Sequence, residues 1–380
     1  MPVASRSPKA VTSAVLVLLV VTAAVAPSLR REPQARAAGY RTLVAWSPDN
    51  LPGGVERAVE RIDGVRATTM LQGLDWMTRA VDRDGKLLDR TRRGYGIPIE
   101  VAVVEPEFRR FVSDDGRALI DRLRGNRVLI SGTEERLRGS GRGMRMRMSG
   151  RRVRVAGVLG NGDAQAYEVI MERPRPKSWS NAIRFLLIQA PERVTKDRIR
   201  RALETVTGKG YRTVIRSESQ TPYLRYGDGV RPQQMVKRHF QEFAARRMDG
   251  GRIQIAKRWL DRNVRRWPVP ILGTVTCHRE LFPILRGALR EIKRKGLGHL
   301  VRPGEYAGCF NSRFIATIPG TRLSRHSWGT ALDINASSNC FGCSPKQDAR
   351  IVRIFRKWGF TWGGTWPIPD GMHFEWFRWP

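Results

Sequence analysis

A histidine and an aspartate stand seven residues apart in the stretch SRHSWGTALDIN, residues 324–335. The alternation in TALDIN predicts a strand that carries Asp333 on one of its faces. On a straight strand the odd offset of seven would place His326 on the opposite face. The two side chains can therefore reach one ion only if the chain bends or bulges at residues 327–329, where Gly329 permits a turn.

The last stretch of the chain, PDGMHFEWFRWP, offers the other half of such a site. Its Asp-Gly pair is a turn signal, and MHFEWFRW alternates as a strand with His373 and Glu375 on one face. Two histidines and one carboxylate leave a tetrahedral zinc ion with one open position, which is the arrangement of catalytic zinc sites. We predict that His326, Asp333 and His373 hold one zinc ion, and that Asp370 is left over as a general base.

On the residues alone, the alternative that these two histidines are structural stays open. His-x6-Asp and Asp-x2-His are each weak signals when they occur singly. The chain has five histidines, and the other three, His239, His278 and His299, have no carboxylate placed convincingly with them. We interpret those three as structural residues.

The composition indicates a polyanionic partner. The chain has 69 Lys and Arg against 35 Asp and Glu, a formal net charge of +34 and a pI near 11.4. Nucleic acid, anionic lipid and anionic cell-wall polymer are the partners that such a charge fits. The 41% of hydrophobic residues excludes wholesale disorder, and 380 residues can form two or three domains.

Residues 1–38 are predicted to be a signal peptide or an N-terminal membrane anchor. The apolar run AVTSAVLVLLVVTAAVA, residues 10–26, follows Arg6 and Lys9, which is typical of an export signal. As a helix this run would span about 25 Å, so cleavage and retention as an anchor both stay open. We expect the chain to be exported and then to be extracellular, wall-associated or anchored to the outer face of the cytoplasmic membrane. Export argues against nucleic acid as the partner.

The four cysteines, Cys277, Cys309, Cys340 and Cys343, all lie in the last third of the chain. An even number in one exported domain predicts two disulfides, whose connectivity the sequence leaves open. A zinc site built on CFGC would need a second close pair, and the first two cysteines are widely spaced.

Residues 39–245 are predicted to form a basic α+β region of unknown function, in one or two subdomains. RTLVAW, LPGGVERAVERI and VRATTML predict a strand, a helix and a strand. IRFLLIQ, a helix KDRIRRALETV capped by Thr195, and YRTVIR predict a second such unit. LPGGVERAVERIDGV resembles the extracytoplasmic domains of ABC-transporter permeases, and no function is inferred from that likeness.

Between the two units, residues 136–155 contain eight arginines and no acid. Met and Arg alternate from Met144 to Met148, and this period of two predicts an exposed strand or hairpin. The run is either a solvated basic face or a surface that contacts anionic wall polymer or lipid headgroups. No aromatic residues interleave the arginines, so base stacking is not indicated.

Residues 250–380 are predicted to be a separate α+β domain, with a small antiparallel sheet and flanking helices. WPVPILGTVTCH is interpreted as its first strand, and RELFPILRGALREIKRKG as a helix. SPKQDARIVRIFRKWG is interpreted as a second helix that begins with a capping box at Ser344 and Gln347.

The motifs of this domain resemble those of the VanY-like zinc D-alanyl-D-alanine carboxypeptidases and their relatives, the L-alanyl-D-glutamate endolysins. The family pattern is an Arg, then Ser-x-His-x6-Asp, then Trp-Gly-Gly and Asp/Glu-x2-His. GCFNSRFIATIPGTRLSRHSWGTALDIN and FTWGGTWPIPDGMHFEW contain all of these in order. The resemblance says nothing about residues before about Gly250.

The resemblance implies a role for each matching position. The implied zinc ligands are His326, Asp333 and His373. Asp370 matches the acid that activates the water, Arg313 the arginine that binds substrate and stabilises charge on the scissile carbonyl, and Ser324 a serine that hydrogen-bonds the substrate. To these we add Glu375, from strand alternation, as a carboxylate that orients His373. The cysteines are not part of the pattern, so Cys340 and Cys343 are expected to form a local staple.

The implied activity is an exported zinc peptidase that acts on peptidoglycan stem peptides, foremost as a D-alanyl-D-alanine carboxypeptidase. An endopeptidase that cuts between L-Ala and D-Glu, and a cell-wall-binding protein without catalysis, are the alternatives.

Overall fold

The structure is a computed structural model that describes residues 39–172, 182–227, 231–315 and 320–379. The predicted export segment, residues 1–38, lies outside them. None of the helices in these ranges combines the length and the hydrophobicity that a bilayer span requires.

The described strands are β1 (Tyr40–Trp46), β2 (Arg66–Val81), β3 (Leu87–Arg90), β4 (Ile97–Val104), β5 (Arg127–Ser131), β6 (Arg145–Met148), β7 (Arg151–Leu159), β8 (Val169–Glu172), β9 (Ile183–Pro191), β10 (Val214–Ser217), β11 (Ala245–Arg247), β12 (Ile253–Ile255), β13 (Val264–Val269), β14 (Gly273–His278), β15 (Ala331–Asp333), β16 (Phe360–Trp362) and β17 (His373–Trp376). The described α-helices are α1 (Val55–Glu60), α2 (Asp114–Ile120), α3 (Gly132–Arg138), α4 (Lys196–Thr207), α5 (Gln233–Phe240), α6 (Lys257–Asn263), α7 (Leu281–Arg294) and α8 (Ala349–Lys357). The fold is therefore mixed α+β, as the sequence predicts.

Both predicted strand–helix–strand units form, and they interleave in one sheet. The strand order is β10-β1-β9-β2, and every neighbouring pair is antiparallel. This is the split βαβ arrangement, in which each strand of one unit lies beside strands of the other. The helices α1 and α4 contact each other, and their apolar side chains share one core cluster with β1 and β9. Thr195 caps α4 as predicted, because its hydroxyl accepts a hydrogen bond from the Arg198 N–H.

The strands between these units close into a ring that the sequence did not predict. The long strand β2 pairs with β4, and the order continues through β8, β5, β7 and β6 back to β2. The alternation of Met and Arg belongs to β6 in this ring, with Met146 and Met148 buried and Arg145 and Arg147 exposed. The predicted hairpin is confirmed, since β6 and β7 pair antiparallel, but its methionine face is core rather than surface.

Four exposed arginines lie side by side across this ring, one on each of four neighbouring strands. Arg90 pairs with Arg79, Arg79 with Arg147, and Arg147 with Arg152. We call these four residues the arginine ladder. Arg138, from the same basic run, is by contrast buried and bonded to Glu134, Asp89 and Glu242.

The C-terminal region contains a small antiparallel sheet with the order β15-β17-β16, flanked by α7 and α8. One face of α7, with Phe282, Leu285, Leu289 and Ile292, is buried, and α8 packs on the same core cluster. Val236, Phe240 and Phe243 also join this cluster, although they precede the predicted boundary at residues 245–250. The division into domains stays a prediction.

Two local expectations are wrong. The first is the interpretation of WPVPILGTVTCH as one strand. This stretch contains most of a hairpin formed by β13 and β14, because the chain turns at Ile271, which has φ 65°. The second helix begins at Ala349 with Asp348 as its cap, rather than at a capping box on Ser344. Gln347 is buried and hydrogen-bonds Asn335 and the Ile334 carbonyl, so it holds the loop after β15 instead of a helix end.

Candidate metal centre

The two C-terminal strands bring an aspartate and a histidine side by side. In the antiparallel pair of β15 and β17, Asp333 lies directly opposite His373. Side chains that are opposite each other in this way have Cβ atoms about 5 Å apart on the same face. The register thus places two of the three predicted ligands together.

The third, His326, reaches them because the chain turns sharply before β15. Residues Arg325–Trp328 form a 3₁₀ turn, and Gly329 follows in the left-handed region with φ 66°. A Cβ at Gly329 would lie 2.6 Å from the His278 backbone nitrogen, so the packing requires glycine here. The bend that the odd spacing demanded is therefore a 3₁₀ turn and not a β-bulge.

The three side chains meet at short distances. His326 Nε2 lies 3.2 Å from Asp333 Oδ2 and 3.1 Å from His373 Nδ1, while His373 Nδ1 lies 3.0 Å from Asp333 Oδ1. One potential ligand atom from each residue lies within 4.8 Å of the others. The group is buried and could hold a metal ion.

The protonation that the surroundings impose fits a metal ligand. His326 Nδ1 lies 2.8 Å from the Cys309 carbonyl oxygen, which can only accept a hydrogen bond. Nδ1 therefore carries a proton, and Nε2 is the nitrogen that faces Asp333 and His373 and could bind a metal ion. A backbone carbonyl behind a ligand histidine is a common way to fix the ring and its tautomer.

The electrostatics of the group are dominated by its carboxylates. Burial alone would raise the pKa of Asp333, but hydrogen bonds from His326 and His373 outweigh it and hold the pKa below its usual range. Burial alone would lower the pKa of His373, but hydrogen bonds to Asp333 and Glu375 raise it to about 10. A metal ion that binds here must therefore compete with a proton on His373.

Asp370 lies in the same cleft but outside this group. Its backbone N–H donates to the Gly363 carbonyl, and its Oδ1 is buried without a hydrogen-bond partner among the described residues. Burial is the largest cause that raises its pKa, and the charge of Asp333 adds to the effect. A carboxylate with an unpaired oxygen and a raised pKa has the properties of a proton acceptor.

Arg313 and Ser324 lie at the cleft and are tied to the turn of His326. The hydroxyl of Ser327 accepts from the Arg313 N–H and donates to its carbonyl, at 3.1 and 3.0 Å. The Ser324 hydroxyl accepts from the His326 N–H at 3.3 Å and so caps the 3₁₀ turn. Ser324 therefore has a positioning role besides the substrate contact that the sequence predicts.

Glu375 connects His373 to a residue that sequence analysis missed. Glu375 Oε2 lies 3.9 Å from His373 Nε2, and Oε1 lies 3.5 Å from Arg325 Nε. Arg325 is 6% exposed and also donates to the Arg231 carbonyl at 2.6 Å. One arginine among so many gave no signal in the sequence, and only its burial distinguishes it.

Both predicted disulfides are present in the structure. They join Cys277 to Cys309, with 5.3 Å between Cα atoms, and Cys340 to Cys343, with 5.4 Å. The first bridge holds the carbonyl that hydrogen-bonds His326. The second is the expected local staple, and its loop pairs with the turn before β17 through a backbone bridge between Phe341 and Asp370.

The remaining histidines are not part of this group. His278 is fully buried, and its Nδ1 accepts the Glu280 N–H. His239 Nε2 lies 3.2 Å from Glu280 Oε2, so it has a carboxylate partner that the sequence did not suggest. Its ring packs on Phe240 and Trp379, which agrees with a structural role.

A cleft of about 300 Å³ opens at this centre. It is lined by Arg313, Ser324, Asp333, Asp370, His373 and Glu375, which are all the predicted site residues except His326 and the cysteines. Apolar residues such as Trp366, Ile368 and Met372 form much of the rest of its C-terminal lining.

Comparison with known proteins agrees with the motifs. Residues 318–376 match the family described as D-alanyl-D-alanine carboxypeptidase. No curated protein matches the chain. Among solved structures, the chain is similar to the periplasmic region of MacB from Actinobacillus actinomycetemcomitans, at 9% identity and a TM-score of 0.30, over 48% of this chain and 90% of that one. A TM-score this low supports no conclusion about the fold or the function of this chain.

The matched segment contains Ser324, all three residues of the candidate metal group, Asp370 and Glu375. The C-terminal segment of this chain thus carries the sequence signature of the D-alanyl-D-alanine carboxypeptidase family.

Proposed function

We propose that the chain is a zinc-dependent D-alanyl-D-alanine carboxypeptidase that removes the terminal D-alanine from peptidoglycan stem peptides. The observation that supports this most is the combination of the His326, Asp333 and His373 group with the unpaired Asp370 in one cleft. A binding protein without catalysis would have no need for a buried carboxylate that lacks a partner, since such a group costs stability.

In this mechanism His326, Asp333 and His373 would hold the zinc ion. The chemistry that a bound zinc ion would supply is Lewis-acid activation of a water molecule and of the scissile carbonyl. Asp370 accepts the proton of the attacking water and passes it to the nitrogen of the departing D-alanine. Its raised pKa makes the protonated form accessible for that second transfer.

The remaining residues bind and orient. The Arg313 guanidinium offers a planar fork that fits a carboxylate or the oxyanion that develops on the carbonyl. The Ser324 hydroxyl caps the turn of His326 and keeps its own hydrogen available for a substrate acceptor. The Glu375 carboxylate lies 3.9 Å from His373 Nε2, on the side of the ring away from the metal group, and so would favour the orientation in which Nδ1 faces that group.

Digestion of a defined disaccharide pentapeptide, followed by mass spectrometry, tests this proposal. We expect a zinc-loaded sample to release one D-alanine and to leave the tetrapeptide. A cut between L-Ala and D-Glu would instead identify an endopeptidase. An intact substrate with a full complement of zinc would contradict a peptidase of either kind.

We also propose that the chain is exported and that the arginine ladder binds an anionic wall polymer. Like charges opposite each other on neighbouring strands, about 5 Å apart, destabilise a sheet. None of the four guanidinium groups forms an ion pair within the described part of the chain. A polyanion that lies across the strands would relieve this repulsion.

The proposed role of the arginine ladder as a tether to wall polymer is tested by measuring binding of the protein to isolated cell walls. Replacing Arg147 and Arg152 with glutamine should weaken binding, and the loss should shrink as salt rises. The matched control replaces Arg198 and Arg201, two exposed arginines of α4, with glutamine. Equal losses in the two double variants would mean that net charge matters and the ladder does not.

A further inference from the structure

The cleft at the metal group is not built by the C-terminal region alone. Trp46 at the end of β1, Pro48 after it, and Tyr226 with Gly227 in the loop after β10 also line it. We call these four residues the N-terminal wall. Because Trp46 and Tyr226 are 3% and 8% exposed, most of each ring is packed in the N-terminal core cluster.

A buried ion cluster holds this wall against the C-terminal region. Glu100 Oε2 accepts from Arg225 Nη2 at 2.6 Å, and Glu100 Oε1 lies 3.8 Å from Arg322 Nε. Arg225 belongs to the wall loop, and Arg322 lines the cleft from the C-terminal side. Burial would raise the pKa of Glu100, but Arg225 and Arg322 outweigh it and lower the pKa to about 2, so the cluster stays charged at neutral pH.

Gly227 shows how closely the two sides approach. Its φ is +90°, and a Cβ there would lie 2.7 Å from Arg322 Nη1. The backbone conformation therefore favours glycine, and a side chain here would displace the Arg322 guanidinium. The wall thus packs directly against a residue of the C-terminal lining, in place before any substrate binds.

The chemistry of the wall suits an uncharged substrate portion. The rings of Trp46 and Tyr226 pack with centroids 4.9 Å apart and present apolar edges. A ligand with C–H surfaces would pack against these edges.

We infer that the N-terminal wall binds the part of the substrate that extends away from the scissile bond. This inference rests on the proposed peptidase function. The required chemistry, an uncharged C–H surface, occurs in the rest of the stem peptide and in the amino sugar to which it is attached. The N-terminal region is then a determinant of specificity for long substrates and not only a tether.

Steady-state kinetics on three substrates test the inference. They are a blocked tripeptide that ends in D-Ala-D-Ala, the free pentapeptide, and the disaccharide pentapeptide. Tyr226→Leu removes one ring of the wall, and Trp46→Phe replaces the indole with a smaller ring. Phe111→Leu is the matched control, because Phe111 is 3% exposed in the same core cluster and does not line the cleft.

We expect both wall variants to raise KM about two- to tenfold for long substrates, with kcat unchanged and the tripeptide unaffected. A rise in KM for the disaccharide pentapeptide alone would mean that the wall contacts the sugar. A rise for the free pentapeptide as well would mean that the wall contacts the peptide. Equal effects on all three substrates, or the same pattern in Phe111→Leu, would overturn the inference.

A failure of the proposed function gives a different result. In that case the wild type releases no alanine from any substrate. Calorimetric titration with the same three compounds then decides whether the wall binds. Affinity that falls in the wall variants for long compounds alone supports the inference, and unchanged affinity overturns it.

Discussion

Replacing Asp370 with asparagine separates catalysis from metal binding. The amide keeps the size of the side chain but cannot accept the proton. The fold around it should persist, because the Asp370 contacts that anchor the turn are made by its backbone, to Gly363 and Phe341. We expect bound zinc to stay at the wild-type level.

The expected loss of rate is large. A positioned general base contributes about 10²–10⁴-fold to a reaction, which corresponds to about 2.7–5.4 kcal/mol of activation free energy. Peptide cleavage by Asp370→Asn should fall within that range. Asp333→Asn should lose zinc and activity together, because Asp333 contacts both histidines.

The pH dependence gives an independent check on Asp370. A base works only when it is deprotonated, and burial raises its pKa above the usual aspartate value of 3.8. The kcat/KM of the wild type should therefore fall as the pH drops through this raised pKa, at a higher pH than an exposed aspartate would give. In Asp370→Asn this acidic limb should disappear.

Zinc content by elemental analysis, together with the release of D-alanine, measures all of these effects. Asp261→Asn is the control, since Asp261 is an exposed carboxylate that pairs with Lys257 on α6. Loss of zinc in Asp370→Asn with zinc retained in Asp333→Asn would mean that the two roles must be exchanged. Full activity with zinc bound in Asp370→Asn would refute the base assignment.

Three further predictions concern the surroundings of the metal group. Glu375→Gln removes the carboxylate that is expected to orient His373, so zinc affinity should fall about 10–100-fold, measured by competition with a chelator; unchanged affinity would contradict the orienting role. Replacing Cys277 and Cys309 with serine should lower the free energy of unfolding by about 2–4 kcal/mol in denaturant titrations, whereas the same change at Cys340 and Cys343, which close a loop of three residues, should cost less. Neutralising the arginine ladder should leave turnover of a small soluble peptide unchanged, and a collapse of that turnover would refute the separation of tether and chemistry.

Much of the candidate centre could be predicted from local sequence. Asp333 and His373 lie in short alternating stretches, and the period of two fixes which residues share a face of a strand. The odd spacing between His326 and Asp333 demanded a bend, and Gly329 marked its position. The residues alone left the pairing of the cysteines open, and the staple between Cys340 and Cys343 was expected because the cysteines lie outside the family pattern.

Features that depend on distant segments could not be predicted. The ring of strands closes through a pairing of β2 with β6, and such long-range pairing has no local signature. The period of two in the Met and Arg run predicted a strand, but it could not tell that the methionines face the ring's core. Arg138 and Arg325 look like any other arginine in a basic chain, and only tertiary contacts bury them.

The residue types and their order by themselves determined which residues are candidates for chemistry: two histidines and a carboxylate that could hold a metal, and a second carboxylate beside them. Only the tertiary structure decided what surrounds that chemistry. Trp46 and Tyr226 reach the cleft from positions far away in the chain, because Glu100 holds Arg225 and Arg322 together. Periodicity acts over a few residues, whereas the packing of one region against another depends on the shape and charge of both surfaces at once.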